Sequence, residues 1–277
     1  SFSKIKMDYG ITGSLEGHID GVDIKMSKRS FRINFHQDIS FLGFKRLDVD
    51  QRYILYSHSE YENNNDYATV SLGQNIYSFQ SMLSSDKVKL GSMFQYRDYR
   101  AGGFYWTPDT KEFKTSLFGL YEKKINKATV QLSSRLENLI IKPETSFLFT
   151  SNIDKNEVTN RNYLIFSTGI GTFRSWERWT FSTSAMLTSR APSIDHLFSD
   201  GPHLGTYSYE IGQPQLGKEN TFGLETSLEH NTKKSDFRFT LYNNYSPNYH
   251  ISIALGNEYV PGADYIEWGS GSAGWLY

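Results

Sequence analysis

Long stretches of this chain alternate apolar and polar side chains with a period of two. Ala128, Val130, Leu132 and Leu136 hold one parity, while Thr129, Gln131, Ser133, Arg135 and Glu137 hold the other. Trp179, Phe181, Ala185 and Leu187 alternate with Thr180, Ser182, Ser184 and Met186. Phe222, Leu224 and Leu228 alternate with Gly223, Glu225, Ser227 and Glu229, and Phe237, Phe239 and Leu241 with Arg238 and Thr240. Successive side chains of a strand point to opposite faces, so each segment presents one apolar and one polar face. No window keeps an apolar stripe at helical spacing over several turns. The pattern predicts about ten strands, over roughly 22–36, 46–58, 67–82, 87–100, 112–125, 128–141, 162–175, 179–190, 219–230 and 236–246.

Several of these segments exceed the usual strand length of about 5–6 residues and reach the ~9–11 tilted residues that cross a bilayer. Short connections near 37–45, 84–86, 126–127, 177–178 and 231–235 alternate with mostly longer ones at 59–66, 101–111, 142–161, 191–218 and from 247 onward. That asymmetry suits an up-and-down barrel with tight periplasmic turns and long outer loops. All 7 prolines lie in the long connections, as expected of a residue that cannot donate to a β-ladder. Trp176 and Trp179 flank a tight turn, Phe41 and Phe44 another, and Tyr105 and Trp106 open a long loop. Such rings suit a membrane–water boundary. A soluble β-fold would also alternate, but it does not call for long strands, loop asymmetry and a charged second face together. Arg97, Arg100, Arg135, Glu137, Glu225 and Glu229 occupy polar faces, and against lipid such charges are costly, so they are expected to face a wet or plugged interior. Apolar parity switches between Val22, Ile24, Met26 and Phe31, Ile33, Phe35, which predicts a β-bulge near Ser27–Ser30. The Gly-rich segment Gly269–Gly274 reads as a loop.

Composition narrows the class. The 277 residues carry 29 Lys+Arg against 30 Asp+Glu, a net charge of −1, without the basic excess of a nucleic-acid binder. An aromatic share of 16% argues against disorder. Mean hydropathy is −0.52, and no apolar run approaches the ~20 residues of a membrane helix. With 0 Cys there is no disulfide framework and no thiolate metal site.

Chemical motifs are sparse. Gly269, Gly271 and Gly274 match the spacing of a dinucleotide fingerprint, but only three residues follow, too few for the helix it requires. No nucleophile elbow, zincin or P-loop motif occurs, and an enzyme is not expected. Histidines gather carboxylates in three places. Glu16 and Asp20 bracket His18, Glu60 follows His58, and Asp195, Asp200 and Glu210 surround His196 and His203. Imidazole with carboxylate suits zinc or another divalent ion. Polar loops collect the same residues without binding anything, and spacing alone leaves both readings open.

The segment Thr188–Asn220 carries the most specific pattern: R-A-P-S at Arg190–Ser193, D-H-L-F-S at Asp195–Ser199, G-P-H at Gly201–His203, then Y-E-I-G-x-P-x-L-x-x-E from Tyr209 to Glu219. This resembles the late-barrel signature of TonB-dependent outer-membrane receptors, and within them the branch holding zinc, haem and siderophore receptors. Glu16 with Val22–Met26, Ser57–Glu60 and Ala101–Phe104 look like the same branch. The resemblance implies an all-β, antiparallel up-and-down transmembrane β-barrel of 22 strands around a plug, integral to the outer membrane of a Gram-negative bacterium, in contact with lipid and lipopolysaccharide. It implies uptake of a scarce metal ion or metal chelate (zinc, haem or a siderophore) by loop capture and plug-gated passage, driven through the TonB complex, with no resident cofactor. Carried over, G-P-H points to His203, and more loosely to His58 and Glu60. With His196 and Asp200, these are the candidate substrate or metal contacts. Since only about ten strands are expected and no plug, TonB box or final alternating strand is visible, residues 1–277 are expected to be an incomplete barrel domain from the interior of a longer receptor. A passive porin-type barrel is the alternative.

Overall fold

The computed structural model describes residues 1–13, 21–62, 66–103, 107–145, 152–203, 208–260 and 263–276; for His203 and residues 255–276 it describes the backbone alone. The strands are β1 (Phe2–Ile11), β2 (Val22–Phe41), β3 (Phe44–Glu62), β4 (Val70–Ser84), β5 (Val88–Gly103), β6 (Thr110–Ile125), β7 (Ala128–Pro143), β8 (Arg161–Trp176), β9 (Trp179–Arg190), β10 (Asp200–His203), β11 (Ser208–Ile211), β12 (Glu219–Asn231), β13 (Asp236–Val260) and β14 (Ala263–Leu276). A five-residue helix, α1 (Ile194–Phe198), sits between β9 and β10. All strands share one 14-stranded sheet in the order β1 to β9, β12, β13, β14, β11, β10. Neighbours are antiparallel except β11 with β14, which run parallel. The long strands therefore form an up-and-down arc, and the two short ones belong to a connection. The sheet is unclosed.

All ten expected strands are present, as β2–β9, β12 and β13. The expectation missed β1 and β14, and the short β10 and β11 within the 191–218 connection. It also took Gly269–Gly274 for a loop, whereas these residues lie within β14, paired to β13 with Gly269 opposite Ile251 and Gly274 opposite Tyr245. Ladder pairing there overrides a composition poor in strand formers.

Short turns close one end of the arc. Between Phe41 and Phe44, Leu42 and Gly43 have φ of 47° and 83°, the left-handed pair that twists with a two-residue hairpin. Asn126 and Glu177 have φ of 55° and 50° at the first turn position of the β6–β7 and β8–β9 hairpins. Trp176 pairs directly with Trp179 across the second of these.

Register shows which side chains share a face. Leu117 lies opposite Leu136, and Leu136 opposite Phe166. One residue along, Ser116 lies opposite Glu137, and Glu137 opposite Ile165. Leu117, Leu164 and Ile170 are 65%, 58% and 55% exposed, and Phe222, Leu224, Phe237 and Phe239 belong to the same outward surface. An apolar band of this extent on a soluble protein would be an aggregation surface; on a barrel it meets hydrocarbon.

The opposite face is charged and internally paired. Arg97 binds Glu112 at 2.9 Å, Arg135 binds Glu137 at 2.7 Å and Arg46 binds Asp48 at 2.6 Å. Arg97, Arg135, Glu137 and the inward parity of β12 fall where the alternation puts them. Arg100 does not. It shares the outward parity with Asp98, which it contacts at 3.1 Å, near the loop end of β5.

No bulge interrupts Ser27–Ser30. The β2–β3 register runs unbroken from Val22 opposite Glu62 to Asp38 opposite Arg46, and shifts only between Asp38 and Phe41. The parity switch has another cause. Val22 and Ile24 are buried on the inner face at the loop end of β2, while Phe31, Ile33 and Phe35 are exposed on the outer face lower down. The strand stays in phase, and what covers its inner face changes along its length.

The dry core is small and sits inside the arc at the loop end. Tyr99, Ala101, Leu139, Ile141, Tyr163 and Ile165 of the wall pack against Ile153, Val158, Ile194, Leu197, Phe198 and Leu216 from two long connections. Leu224→Arg, on the outward band of the intact barrel in lipid, is expected to cost roughly 2–4 kcal/mol of unfolding free energy, against less than about 1 kcal/mol for Glu225→Arg beside it. Denaturant titration in vesicles measures both, and equal costs would contradict the assigned faces.

Candidate functional site

The connection 191–218 turns into the arc and lies on its inner wall. Pro192 ends the β9 ladder, since proline offers no N–H. In α1, Leu197 and Phe198 are fully buried, and the Ser199 N–H and hydroxyl both donate to the Asp195 carbonyl, at 3.2 and 2.7 Å. The β10–β11 hairpin follows, and then Gly212 passes against the helix. A Cβ there would lie 2.6 Å from the Phe198 nitrogen, while the Gly212 N–H donates to the Ser199 carbonyl at 2.6 Å. The Gln213 N–H donates to the His196 carbonyl at 2.8 Å, and the Tyr163 hydroxyl to the Leu216 carbonyl at 3.0 Å. Glu219 closes the segment, accepting from Arg190 at 2.9 Å and from the His250 N–H at 3.0 Å. Much of the sequence signature thus fastens this connection to the wall.

The predicted site residues are dispersed over this region. On β3, His58 Nε2 lies 2.9 Å from Glu60 Oε1, and the Tyr56 hydroxyl lies 3.3 Å from His58 Nδ1. Glu60 is 2% exposed, and its other carboxylate oxygen is buried without a hydrogen-bond partner. Asp200 has a tying role. Its carboxylate accepts from the Asn152 N–H and amide, both at 2.8 Å, from the Ile153 N–H at 3.0 Å and from the Tyr209 hydroxyl at 3.0 Å. This is a buried knot between two connections, with its acceptor capacity largely used. His196 lies on α1, 3.9 Å from Asp195 and edge-on to His250, with ring centroids 5.6 Å apart. The backbone of His203 pairs with Ser208 in the β10–β11 hairpin, and its side chain lies outside the described residues, as do Glu16, His18 and Asp20. Among the described residues no three His, Asp or Glu side chains gather as a metal site.

Sequence reasoning passed over His250, buried on β13, whose Nε2 lies 2.9 Å from the Gly217 carbonyl. The only hint was the interruption of the β13 alternation by Pro247–Asn248. The same reasoning placed Arg97 on the interior face but assigned it no role at the site, where its guanidinium reaches Gln74 and Glu112 at 2.8 and 2.9 Å and lies over the Tyr99 ring.

Two cavities open where α1 and the residues before it approach the wall. One, of about 320 Å³, is lined by Gln74, Arg97, Glu112, Pro192 and Ser193 among others. The second, of about 250 Å³, is lined by Tyr56, Gln74, Arg97, Tyr99, Ile194 and Asp195 among others. Arg97 borders both, and Tyr56 connects the smaller cavity to the His58–Glu60 pair. The first mixes charged and apolar side chains, and the second is mainly apolar, with Leu72 and Ile194 beside the Arg97 and Asp195 side chains. A larger groove of about 580 Å³ follows the charged inner face of β2–β5, past Arg32, Arg46, Asp48 and Asp50.

A lipid-facing band outside, a charged wall inside, tight turns at one end and an inward-folded connection at the other define an arc of a large transmembrane β-barrel. The family model described as TonB dependent receptor-like, beta-barrel, matches residues 8–267. The chain belongs to this family. Its fold is similar to that of the copper transporter OprC, with a TM-score of 0.73 at 12% identity over 91% of this chain and 43% of that one. It is also similar to the Serratia marcescens hemophore receptor HasR, a double mutant in complex with its hemophore HasA and heme (TM-score 0.65, 10% identity, 99% and 48% covered). A third likeness is to the Pseudomonas aeruginosa siderophore receptor PirA (TM-score 0.52, 10% identity, 92% and 52% covered). The chain spans about half the length of these structures, and at such identities the likeness is one of fold.

Burial holds the His196 pKa below the ordinary histidine value; Asp195 opposes this and His250 adds to it. The docked connection therefore binds fewer protons than the undocked one. Its stability is fully present above about pH 6.5 and is lost as pH falls through the lowered value. Protection against hydrogen exchange over 191–218, measured relative to the intrinsic amide rate at each pH, is expected to fall on going from pH 7 to pH 5, and His196→Gln is expected to flatten that dependence. Gly212→Ala is expected to raise exchange over the same segment at every pH, since the added carbon meets helix backbone. Unchanged exchange in either variant would contradict the docking described.

Proposed function

We propose that this chain is part of an outer-membrane receptor of a Gram-negative bacterium that imports a scarce metal ion or metal chelate, with zinc, haem and an iron siderophore as the cargo classes. The observation that carries this is the fastening of 191–218 to the inner wall of a barrel of this family, where it borders two cavities, one of them next to the His58–Glu60 pair. Tight, two-sided anchoring positions side chains at the outer mouth for capture. The copper, heme-hemophore and siderophore proteins of similar fold support this range of cargo.

Capture in this reading is by the outer loops, with His203 and the buried carboxylate of Glu60 as candidate metal contacts. Neutral imidazole with carboxylate suits a divalent ion. His196 and Asp200 are weaker candidates, because each already serves the docking of the connection. Passage requires a plug domain and energy coupling through the TonB complex, both contributed by parts of the receptor outside this chain. No bond is made or broken, and no resident cofactor takes part. Lipopolysaccharide surrounds the outer rim and phospholipid the inner one.

The test is uptake by the full-length receptor in a strain deleted for it. Receptor-dependent accumulation of zinc, haem or an iron siderophore is expected, and it is expected to stop when the proton-motive force is dissipated. Accumulation that continues without that force would instead favour a passive pore. His203→Ala and Glu60→Gln are each expected to weaken binding of the cargo at least about tenfold, the scale for losing a metal ligand or its supporting partner. Equal affinities would remove those residues from the site.

A further inference from the structure

The turn end of the arc concentrates positive charge on one sector. Three consecutive hairpins, β6–β7, β8–β9 and β12–β13, are neighbours in the sheet order. They carry Lys123, Lys127, Arg174, Arg178, Lys233 and Lys234, all exposed. The second and third turns touch directly. The Asn231 N–H donates to the Arg178 carbonyl at 2.9 Å, and Trp179 packs against His230 with the rings tilted by 40° and centroids 4.3 Å apart. Register carries Lys123 through Val130 to Thr172, and Ala128 to Arg174, which in turn lies opposite Phe181. Lys123 and Arg174 thus project outward, on the face of Leu132, Ile170 and Phe181.

None of the six side chains forms a hydrogen bond or ion pair among the described residues. The acidic groups nearby are differently placed. Glu122 lies on the inner face and accepts from the Gln131 amide at 2.7 Å, and Glu229 pairs with Arg238 at 2.8 Å. Glu177 and Asp236 remain in the turns and do not balance six cations. Apolar side chains border the cluster on its membrane side: Ile125, Trp176 and Phe237 are 49%, 41% and 56% exposed. Indole rings sit at the headgroup level of a bilayer, so the cations lie beside the phosphates of the adjacent leaflet.

We propose that this sector binds the phosphodiester headgroups of anionic phospholipid in the periplasmic leaflet, with the aromatic residues against the first carbons of the acyl chains. Charge complementarity carries the choice of occupant. The site is multivalent in cations and open toward lipid, and anionic headgroups attract basic residues near a membrane surface. The proposal rests on the membrane reading above.

The experiment uses the full-length receptor in detergent with equal amounts of phosphatidylglycerol and phosphatidylcholine, and native mass spectrometry to count retained lipids. Retention of phosphatidylglycerol is expected to exceed that of phosphatidylcholine by about fivefold, the scale of one such contact, and to decline with added salt. The variant K123Q/K127Q/R174Q/R178Q/K233Q/K234Q is expected to lose the preference. Should that variant fail to fold, K127Q/K233Q/K234Q, confined to the turns, is expected to lower it at least twofold. Equal retention of the two lipids by the wild type overturns the proposal, as does a preference that survives neutralisation in a folded variant. Loss of bound lipid A in place of phosphatidylglycerol overturns it too, by assigning the phosphates to the other leaflet. Failure of the wild-type receptor to insert into vesicles of either composition is a separate observation, and it overturns the membrane reading together with the proposal.

Discussion

Hydrocarbon offers no hydrogen-bond partner, so every peptide group that crosses it must be satisfied by another. The rest of this structure depends on that constraint. It forces strands to run long and to pair without interruption, as β2 and β3 do over most of their length. Unbroken pairing in turn fixes the phase of every side chain, and phase decides whether a residue meets lipid or the interior. The pairs Leu224 with Glu225 and Leu136 with Glu137 are chemically tolerable as neighbours because the ladder holds them on opposite sides.

The strands were legible where one face is lipid-exposed and the other hydrated, because the two solvents impose opposite demands at a period of two. Leu132, Ile170 and Phe181 are such positions. Legibility failed where one of the demands is absent. On β2, Val22 and Ile24 face inward against covering chain, so the inner face is apolar there and imitates a change of phase. On β14, glycine and serine supply no pattern, and partner β13 imposes the strand. On β5, Arg100 stands on the outward parity with Asp98, and its charge alone suggested the wrong side.

The candidate site was legible only in part. The 191–218 segment stood out by its motif, but motif and ligand contact are different things. Leu197, Phe198, Gly212 and Leu216 are specified by packing, and Asp200 by three donors of the distant Asn152–Ile153 segment and the Tyr209 hydroxyl of its own hairpin. The His58–Glu60 pair was visible as a carboxylate following a histidine where a loop was expected to start; that β3 runs on to Glu62 and puts both on one face was not. The His196–His250 approach was not visible, since it joins a short helix to a strand some fifty residues away, and nothing in either local pattern encodes that meeting.

The inward-folded connection has a consequence for biogenesis. Its anchors reach Asn152, Tyr163 and His250, so no single hairpin contains the surfaces it needs. Loop closure across such separations is entropically unfavourable until the intervening hairpins have zipped. The mouth must therefore mature after the staves beside it, with 191–218 settling onto β5, β7 and β8 once β12 and β13 have joined the growing wall. A receptor halted earlier in that sequence would possess its lipid-facing surface but no fixed entrance.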